Sequence, residues 1–218
     1  MDQDIKSIFE KLKSEYGQVA SWAIWKQAIS EDKSASNMGV EGLFDSTKNP
    51  LLFSQLRTDV VMVGYNFSIP TDTFPVFHNF HSCEGIEVHH ATVRNASKLR
   101  YAFNKTPYWG AYMTDIIKNY VEAKSENVEL GSAELVEHFR VFRDELAILK
   151  AEKPLIIAFG GKVYTLLKKH LRQEEYSRLV RVTHYAHYGS GCATHEGYRS
   201  AVLGQLAQST AAQELRVP

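Results

Sequence analysis

Cysteine and proline are scarce in this chain of 218 residues, which contains two cysteines and six prolines. Cys83 and Cys192 lie far apart and form no CxxC pair. The sequence therefore predicts neither a disulfide framework nor a zinc site built from thiolates. The nine histidines follow no established metal-ligand spacing, so we expect no metal ion and no other cofactor.

The chain also lacks a net charge and a long apolar segment. Its 25 lysines and arginines balance 25 aspartates and glutamates, so net charge gives no indication of a nucleic-acid partner. No apolar run approaches the roughly 18 residues that span a membrane. Residues 1–17 are charged and amphipathic without a signal-peptide core. We therefore expect a cytoplasmic protein that does not associate with membranes.

The apolar pattern predicts strands that alternate with helices. Short apolar runs typical of buried parallel strands occur at 60–63, 111–117, 155–159 and 179–183. Such alternation predicts a three-layer α/β/α sandwich with a short central parallel sheet.

Helical periodicity is predicted over 132–149, with Ser132 as its cap, over 162–171 and over 194–207. One or two further amphipathic helices are predicted in residues 1–30. We expect one domain over 1–218, with N-terminal helices and a loop in 1–50 and the core in 51–208.

Polar and aromatic residues follow the predicted strands. Ligands of open α/β sheets bind beyond the carboxyl ends of the strands, so a site is expected at the residues that directly follow each strand, which we call the strand exits. The exits are 64–68, 114–115, 160–161 and 183–188.

Taken in order, the four exits resemble those of the uracil-DNA glycosylase superfamily. Residues 64–66 (GYN) stand where that family has a G-x-D-P or G-x-N-P turn, and 114–115 (TD) stand where it has Thr-Asn. Residues 153–164 resemble the family segment in which Lys-Pro is followed by an apolar strand, a Gly-Gly pair and a helix. Residues 183–186 (THYA) stand where a strand is followed by H-P-S or N-P-S. The similarity extends over about 52–206.

The resemblance implies a monofunctional DNA glycosylase, which flips a base out of DNA and hydrolyses its N-glycosidic bond. DNA is then the partner, and we expect a monomer. Branches with Asn in the first motif are the most similar, whereas the iron–sulfur branches need four cysteines and are excluded. The family includes defence enzymes that attack modified cytosine in viral DNA.

The resemblance also implies catalytic residues. Asn66 is the candidate for orienting the attacking water, and His184 is the candidate for donating toward the departing base. His187 is an alternative to His184, because Tyr185-Ala186 replaces the family's Pro-Ser.

Aromatic and backbone-binding candidates follow from the same comparison. Phe77 or Phe80 is predicted to stack on the flipped base, with Tyr65 as a competitor, although a core role is open for each of them. Contacts with the DNA backbone are predicted for Gly160, Gly161, Lys162 and Ser190. The basic residues in 94–118 and 160–182 predict a DNA-facing surface.

Asp115 departs from the family pattern, which has Asn at this position. An ionised carboxylate offers only acceptors, and it pairs with the N4 amino group of cytosine rather than with the O4 of uracil. This favours a modified cytosine as substrate. Two alternatives stay open: a buried, protonated Asp115 that reads uracil, and an Asp115 that assists the water while the base is read elsewhere.

Other functions also remain open at this stage. Excision of uracil or another deaminated base is the alternative enzymatic activity. A catalytically silent member that binds DNA is a second alternative, because the Asn66 turn and the His184 loop depart from the strongest family patterns. A third is an unrelated α/β phosphatase, which would depend on a metal.

Overall fold

Five strands form one mixed sheet in this computed structural model, which describes residues 2–26, 42–66, 75–81, 90–118 and 130–214. The strands are β1 (Ala20–Trp22), β2 (Arg57–Asn66), β3 (Ala111–Ile117), β4 (Leu155–Phe159) and β5 (Arg178–Val182). Their order across the sheet is β1-β3-β2-β4-β5. All neighbouring pairs are parallel except β1, which runs antiparallel to β3 at one edge.

Helices cover both faces of this sheet. They are α1 (Asp2–Tyr16), α2 (Leu52–Gln55), α3 (His90–Phe103), α4 (Ser132–Ile148), α5 (Gly161–His170) and α6 (His195–Glu214), with a 3-10 turn at Gln173–Glu175. Apolar residues of α1, α4 and α5 pack on one face, and those of α3 and α6 pack on the other. The predicted three-layer α/β/α sandwich is therefore confirmed. None of the helices in the described ranges is long and apolar enough to cross a membrane.

The predicted core elements agree closely with the observed ones. The bounds of β3 and β4 are those expected, and β2 extends beyond its predicted apolar run at both ends. Ser132 is the first residue of α4 rather than its cap. Gly131 occupies the cap position, and its N–H donates to the carboxylate of Glu134 at 2.7 Å.

The N-terminal prediction was partly wrong. Residues 20–22 form an edge strand rather than a second helix, because Trp22 packs its ring against Tyr112 of β3 and is fully buried. Phe44, in the predicted surface loop, is also buried and contacts Phe77. Positions 27–41 of that helix and loop prediction lie outside the described residues.

Alternation along β2 and β3 decides which side chains face which helical layer. Val63 and Tyr65 of β2 belong to the core beneath α1, α4 and α5, whereas Met62 belongs to the core beneath α3 and α6. Since successive side chains point to opposite faces, Gly64 and Asn66 share the α3–α6 face with Met62. Asp115, which pairs in register with Gly64, lies on that face too.

A buried ion pair fixes the end of β3 on the opposite face. Lys118 lies 2.6 Å from Glu145 Oε2 of α4, at an angle outside that of a hydrogen bond, and both side chains are almost fully buried. Tyr112 and Thr114 donate hydroxyl hydrogen bonds to Glu145 Oε1 at 2.7 and 2.8 Å. The charge of Glu145 is thus matched by one cation and two donors from β3 and its end.

Lys118→Met is expected to destabilise the fold by about 3–5 kcal/mol, because it leaves a buried carboxylate without its cation. The double variant Lys118→Met/Glu145→Gln should recover part of that loss. Arg140→Met is the control, because Arg140 pairs with Glu137 and Asp144 on the exposed side of α4 and should cost about 1 kcal/mol or less. Urea unfolding measures all three, and equal losses in both single variants would contradict a stabilising role for the buried pair.

Candidate functional site

Residues from four separate segments meet at the carboxyl edge of the sheet, on the α3–α6 face. The segments are the parallel strands β2 and β3, residues 75–81, and the loop after β5. We call their meeting point the Asp115 cluster, which consists of Gly64, Asn79, Phe80, Asp115, His184 and Tyr185.

The topology of the sheet predicts a ligand crevice beside this cluster. From β2 the chain continues to β3 on one side, and it then returns to β4 on the other side of β2. Ligands of open α/β sheets bind where the strand order reverses in this way. Asn66 ends β2 and Gly160 follows β4, so both residues lie at the crevice.

Gly64 permits a close approach between β2 and the Asp115 side chain. A Cβ at Gly64 would lie 2.0 Å from Asp115 Oδ1 and 3.3 Å from Phe80 Cε1. The carboxylate and the edge of the Phe80 ring therefore occupy the space that a side chain at position 64 would fill. Phe80 itself has a φ of 68°, a conformation that costs a non-glycine residue about 1–3 kcal/mol and often occurs at functional sites.

Asn79 holds one oxygen of Asp115. Its Nδ2 donates to Asp115 Oδ2 and to the carbonyl of Val19, both at 2.9 Å, and its Oδ1 accepts the N–H of Phe80 at 3.1 Å. A carbonyl only accepts and a backbone N–H only donates, so these two backbone groups fix the orientation of the amide. Asp115 Oδ1, in contrast, has no hydrogen-bond partner in the described part of the chain.

Burial raises the pKa of Asp115 to about 6. The hydrogen bond from Asn79 and the charge of Lys118 lower this pKa, while the charge of Glu145 raises it further. Asp115 is 2% exposed, so loss of hydration dominates over these partners. The carboxyl group therefore changes its charge slightly below neutral pH.

His184 is held as a neutral imidazole. The backbone N–H of Ala186 donates to its Nδ1 at 3.1 Å, which requires the proton of the neutral ring to be on Nε2. Burial lowers the pKa of His184 to about 4, helped by the charges of Lys98 and His187. The ring packs against Tyr185 at 4.2 Å and lies over Gly160. It therefore presents an N–H donor at the carboxyl edge.

Helices α3 and α6 anchor the loop that carries His184. Gln205 accepts the N–H of Thr183 at 2.8 Å and donates to its hydroxyl at 3.0 Å, while Tyr198 donates to the Thr183 carbonyl at 3.1 Å. Lys98 is fully buried and donates to the carbonyl of His187 at 2.8 Å, between the rings of Tyr188 and Tyr198. Residues of α3 and α6 thus hold the loop at Thr183, before His184, and at His187, after it.

The start of α5 forms the other wall of the crevice. Gly160 has a φ of 93°, which favours glycine, and a side chain there would meet His184. Gly161 begins the helix, and the exposed side chains of Lys162 and Arg181 lie next to it. A helix N-terminus flanked by cations suits an anionic group such as a phosphate.

Two predicted base-binding aromatics lie elsewhere. Phe77 is fully buried, and its ring packs between Phe9 and Phe44 in the core. Tyr65 lies on the α4–α5 face, where its ring contacts Lys162 and lines a cavity of about 580 Å³. Neither ring reaches the Asp115 cluster, so of the three predicted aromatics only Phe80 is placed to stack on a ligand there.

The remaining predicted residues lie around the cluster. Asn66 is partly exposed, on the same face as Gly64 and one step closer to the strand end. His187 is exposed, and its N–H closes a turn onto the His184 carbonyl at 2.9 Å. Ser190 lies exposed further along the same loop, with a φ of 53°.

The basic surface differs from the one predicted. Lys98, Arg100 and Lys118 are buried, and Lys98 and Lys118 make internal contacts, so these three side chains do not contribute to a DNA-facing surface in 94–118. In 160–182 the side chains of Lys162 and Arg181 are exposed near the crevice. Lys168 and Lys169 are exposed in the last turn of α5, at the opposite end of that helix.

Sequence reasoning assigned no role to Asn79 or Tyr185, and it placed Lys98 on a DNA-facing surface rather than beneath the His184 loop. Asn79 stands within the aromatic segment 77–80, but its contact with Asp115 depends on β1, which the pattern did not predict. Tyr185 packs edge-on against both Phe80 and Phe159, so it links the His184 loop to the cluster. Within the described ranges, no three His, Cys, Asp or Glu side chains are arranged to hold a metal ion.

The comparisons with known proteins add no relative. No protein-family model matches the chain, and no curated protein matches it in sequence. The case for a function therefore depends on the site itself.

Gly64→Ala is expected to destabilise the protein by about 1–3 kcal/mol, because the new methyl group overlaps Asp115 and neither strand can move freely. Gly204→Ala in α6 is the matched control: it meets open space and should stabilise the helix by about 0.5–1 kcal/mol. Thermal unfolding compares the two. A Gly64→Ala protein as stable as the wild type would show that the close approach is not required.

Nitrogen-15 NMR is expected to show His184 as the Nε2–H tautomer at neutral pH, with protonation only near pH 4. This folded pKa is below the unfolded value of about 6.5. The stabilisation from a neutral His184 is therefore complete above the unfolded value and is lost as the pH falls toward 4. The His184→Gln variant identifies the signal, and an Nδ1–H tautomer would contradict the assignment.

Proposed function

We propose that this protein is a monofunctional DNA glycosylase that acts on a flipped, cytosine-type base. The observation that carries the proposal is the Asp115 cluster, in which a buried carboxylate has one oxygen that no described residue binds, beside an aromatic ring. A neutral histidine with a fixed N–H donor stands at the same edge. This combination supplies an acceptor, a stacking surface and a donor for one planar ligand.

Recognition of the base follows from the acceptor. Asp115 Oδ1 accepts a hydrogen bond from the N4 amino group of cytosine, as Asp and Glu do when proteins read cytosine in a DNA groove. Phe80 provides the surface on which the ring stacks. Cytosine and its hydroxymethylated or glucosylated forms share this amino group, so modified viral cytosine is the substrate that we favour. A cytoplasmic defence role would follow from that substrate.

Hydrolysis is then divided between Asn66 and His184. Asn66 orients a water molecule toward C1′, whose bond to the base breaks as the water oxygen attacks. The electron pair of that bond leaves with the base, and the negative charge develops mainly on its O2 oxygen. His184 Nε2–H donates to this oxygen, and such fixed donors usually give the largest contribution to the rate. The proton released by the water ends on the departed base.

Contacts with the DNA backbone are proposed at the start of α5. The backbone N–H groups after Gly160 and Gly161, with Lys162 and Arg181 beside them, suit a phosphate next to the flipped nucleotide. Ser190, in the exposed part of the His184 loop, is placed for a second backbone contact. DNA is therefore the proposed partner, bound by a monomer.

Uracil is the second candidate base. The raised pKa of Asp115, caused by burial, increases the protonated fraction of this carboxyl group. A protonated Asp115 donates to the O4 of uracil, which an ionised Asp115 cannot do.

The test is abasic-site formation by the purified protein on oligonucleotides and phage DNA. The substrates carry uracil, thymine mismatches, cytosine, or hydroxymethylated or glucosylated cytosine. We expect excision of a cytosine-type base at neutral pH. His184→Ala should lower kcat by about 100- to 1,000-fold, because it removes the donor to the developing charge, and Asn66→Ala should also impair the reaction.

His187→Ala is the comparison for His184→Ala, because His187 is exposed in the same loop. The His187→Ala variant is expected to lower kcat by less than about tenfold. Unfolding curves for each variant separate loss of activity from loss of folding. Salt-sensitive DNA binding without abasic sites on any substrate would contradict the proposal and favour a silent DNA-binding protein. Activity that requires an added metal ion would favour an unrelated hydrolase.

A further inference from the structure

We infer that Asn79 makes Asp115 a proton-dependent selector between two classes of base. In this inference, which rests on the proposed glycosylase activity, the ionised form selects a base with an exocyclic amino group. The form with a proton on Oδ1 selects a base with a carbonyl at the same position. Asn79 is the positioning residue, because it decides which oxygen of Asp115 faces the base.

The first step is the fixed amide of Asn79. Its Nδ2 donates to the carbonyl of Val19, and its Oδ1 accepts the N–H of Phe80. If the amide were flipped, neither backbone group could form its hydrogen bond, because a carbonyl cannot donate and an N–H cannot accept. Asn79 therefore always presents an N–H to Asp115 Oδ2. A protonated Oδ2 is a weaker acceptor for that N–H, so the proton of a neutral Asp115 is favoured on Oδ1.

The second step is the isolation of Oδ1. No described residue makes a hydrogen bond to this oxygen, and it lies against Gly64, where a Cβ would be 2.0 Å from Oδ1 and 3.3 Å from the edge of the Phe80 ring. A ligand that stacks on Phe80 therefore meets Oδ1 as the polar atom of this wall. Ionised, Oδ1 accepts from an amino group, and protonated, it donates to a carbonyl oxygen. The two states recognise opposite hydrogen-bonding patterns with the same atom.

The surroundings of Asp115 bring this change of state into an accessible pH range. Among the described residues, Lys118 after β3 and Glu145 from α4 act on its charge from the other face of the sheet, and Tyr185 from the loop after β5 acts on it from the α3–α6 side. Burial and Glu145 raise the pKa of Asp115, while Asn79 and Lys118 lower it, and the result is about 6. Burial and the nearby Asp115 charge raise the pKa of Tyr185, so Tyr185 stays neutral throughout this range.

The same geometry predicts the behaviour of an asparagine at position 115. Asn79 would hold the carbonyl of that side chain, because its N–H needs an acceptor, and the new NH₂ group would face the base. Asp115→Asn is therefore expected to read a carbonyl at every pH. This variant has the shape of the wild type but cannot change its protonation state.

The experiment measures kcat/KM for a cytosine-type base and for uracil in matched oligonucleotides between about pH 5 and pH 7. The ratio of the two values is the readout, because groups that act on both substrates, such as His184, cancel in it. We expect the ratio of cytosine-type to uracil excision to rise about tenfold per pH unit, following the ratio of ionised to protonated Asp115. Asp115→Asn should give a ratio that favours uracil and does not change with pH.

Asn79→Leu tests the positioning role. It removes the donor that favours the ionised carboxylate, so the protonated form should persist to higher pH and the crossover between the two bases should move upward. Carbon-13 NMR of the Asp115 carboxyl group, in the wild type and in Asn79→Leu, measures the same change without catalysis. An unchanged carboxyl titration in Asn79→Leu would overturn the role of Asn79.

Three further outcomes overturn the inference. One is a wild-type ratio that stays constant or falls as the pH rises, and another is uracil excision that remains undetectable at the acid end. These outcomes would leave the glycosylase itself intact. The third is an absence of abasic sites on every substrate at every pH, which would overturn the proposed function and this inference together.

Discussion

The register of β2 against β3 is the constraint on which the site depends. Parallel pairing sets Gly64 beside Asp115, and the absence of a side chain at Gly64 leaves room for the carboxylate and for the ring of Phe80. A shift of one residue would turn Asp115 to the opposite face, because side chains alternate along a strand. It would then point toward the α4 side, where Glu145 already lies. The geometry of the Asp115 cluster therefore depends on backbone pairing more than on any single side-chain contact.

Buried cations secure the carboxyl edge from both faces of the sheet. On the α4 side, Lys118 neutralises Glu145 and reaches the backbone carbonyl of Asp115. On the α3–α6 side, Lys98 holds the His184 loop through the carbonyl of His187. Buried charges are costly unless they are paired or hydrogen-bonded, and both of these have such partners. Each lysine fixes backbone next to a residue of the Asp115 cluster, so their burial serves the geometry of the site.

The sequence was sufficient for the parallel core but not for the contacts that hold the site together. Short, mainly apolar runs identify buried strands without knowledge of their neighbours, so β3 and β4 were predicted with their observed bounds. The three-residue strand β1 has no such pattern, because an edge strand is defined by its partner. Asn79 depends on the turn before β1, so its role was hidden as well. Phe77 and Phe80 are alike in sequence, and only packing separates the core residue from the site residue.

Burial shifts the pKa values of Asp115 and His184 in opposite directions, and these shifts set the charge state of the site. It raises the pKa of Asp115 and lowers the pKa of His184, because loss of hydration disfavours the charged form of either group. Both groups therefore move toward neutrality, and the fixed partners then decide which hydrogen-bonding atom each one presents. The N–H of Ala186 leaves His184 with a donor, and Asn79 leaves Asp115 with one oxygen that no other described residue binds. A neutral donor is suited to a negative charge that develops during reaction, because it needs no compensating counter-charge in the resting protein. In the proposed function, the Asp115 oxygen that Asn79 does not hold has the separate task of identifying the base.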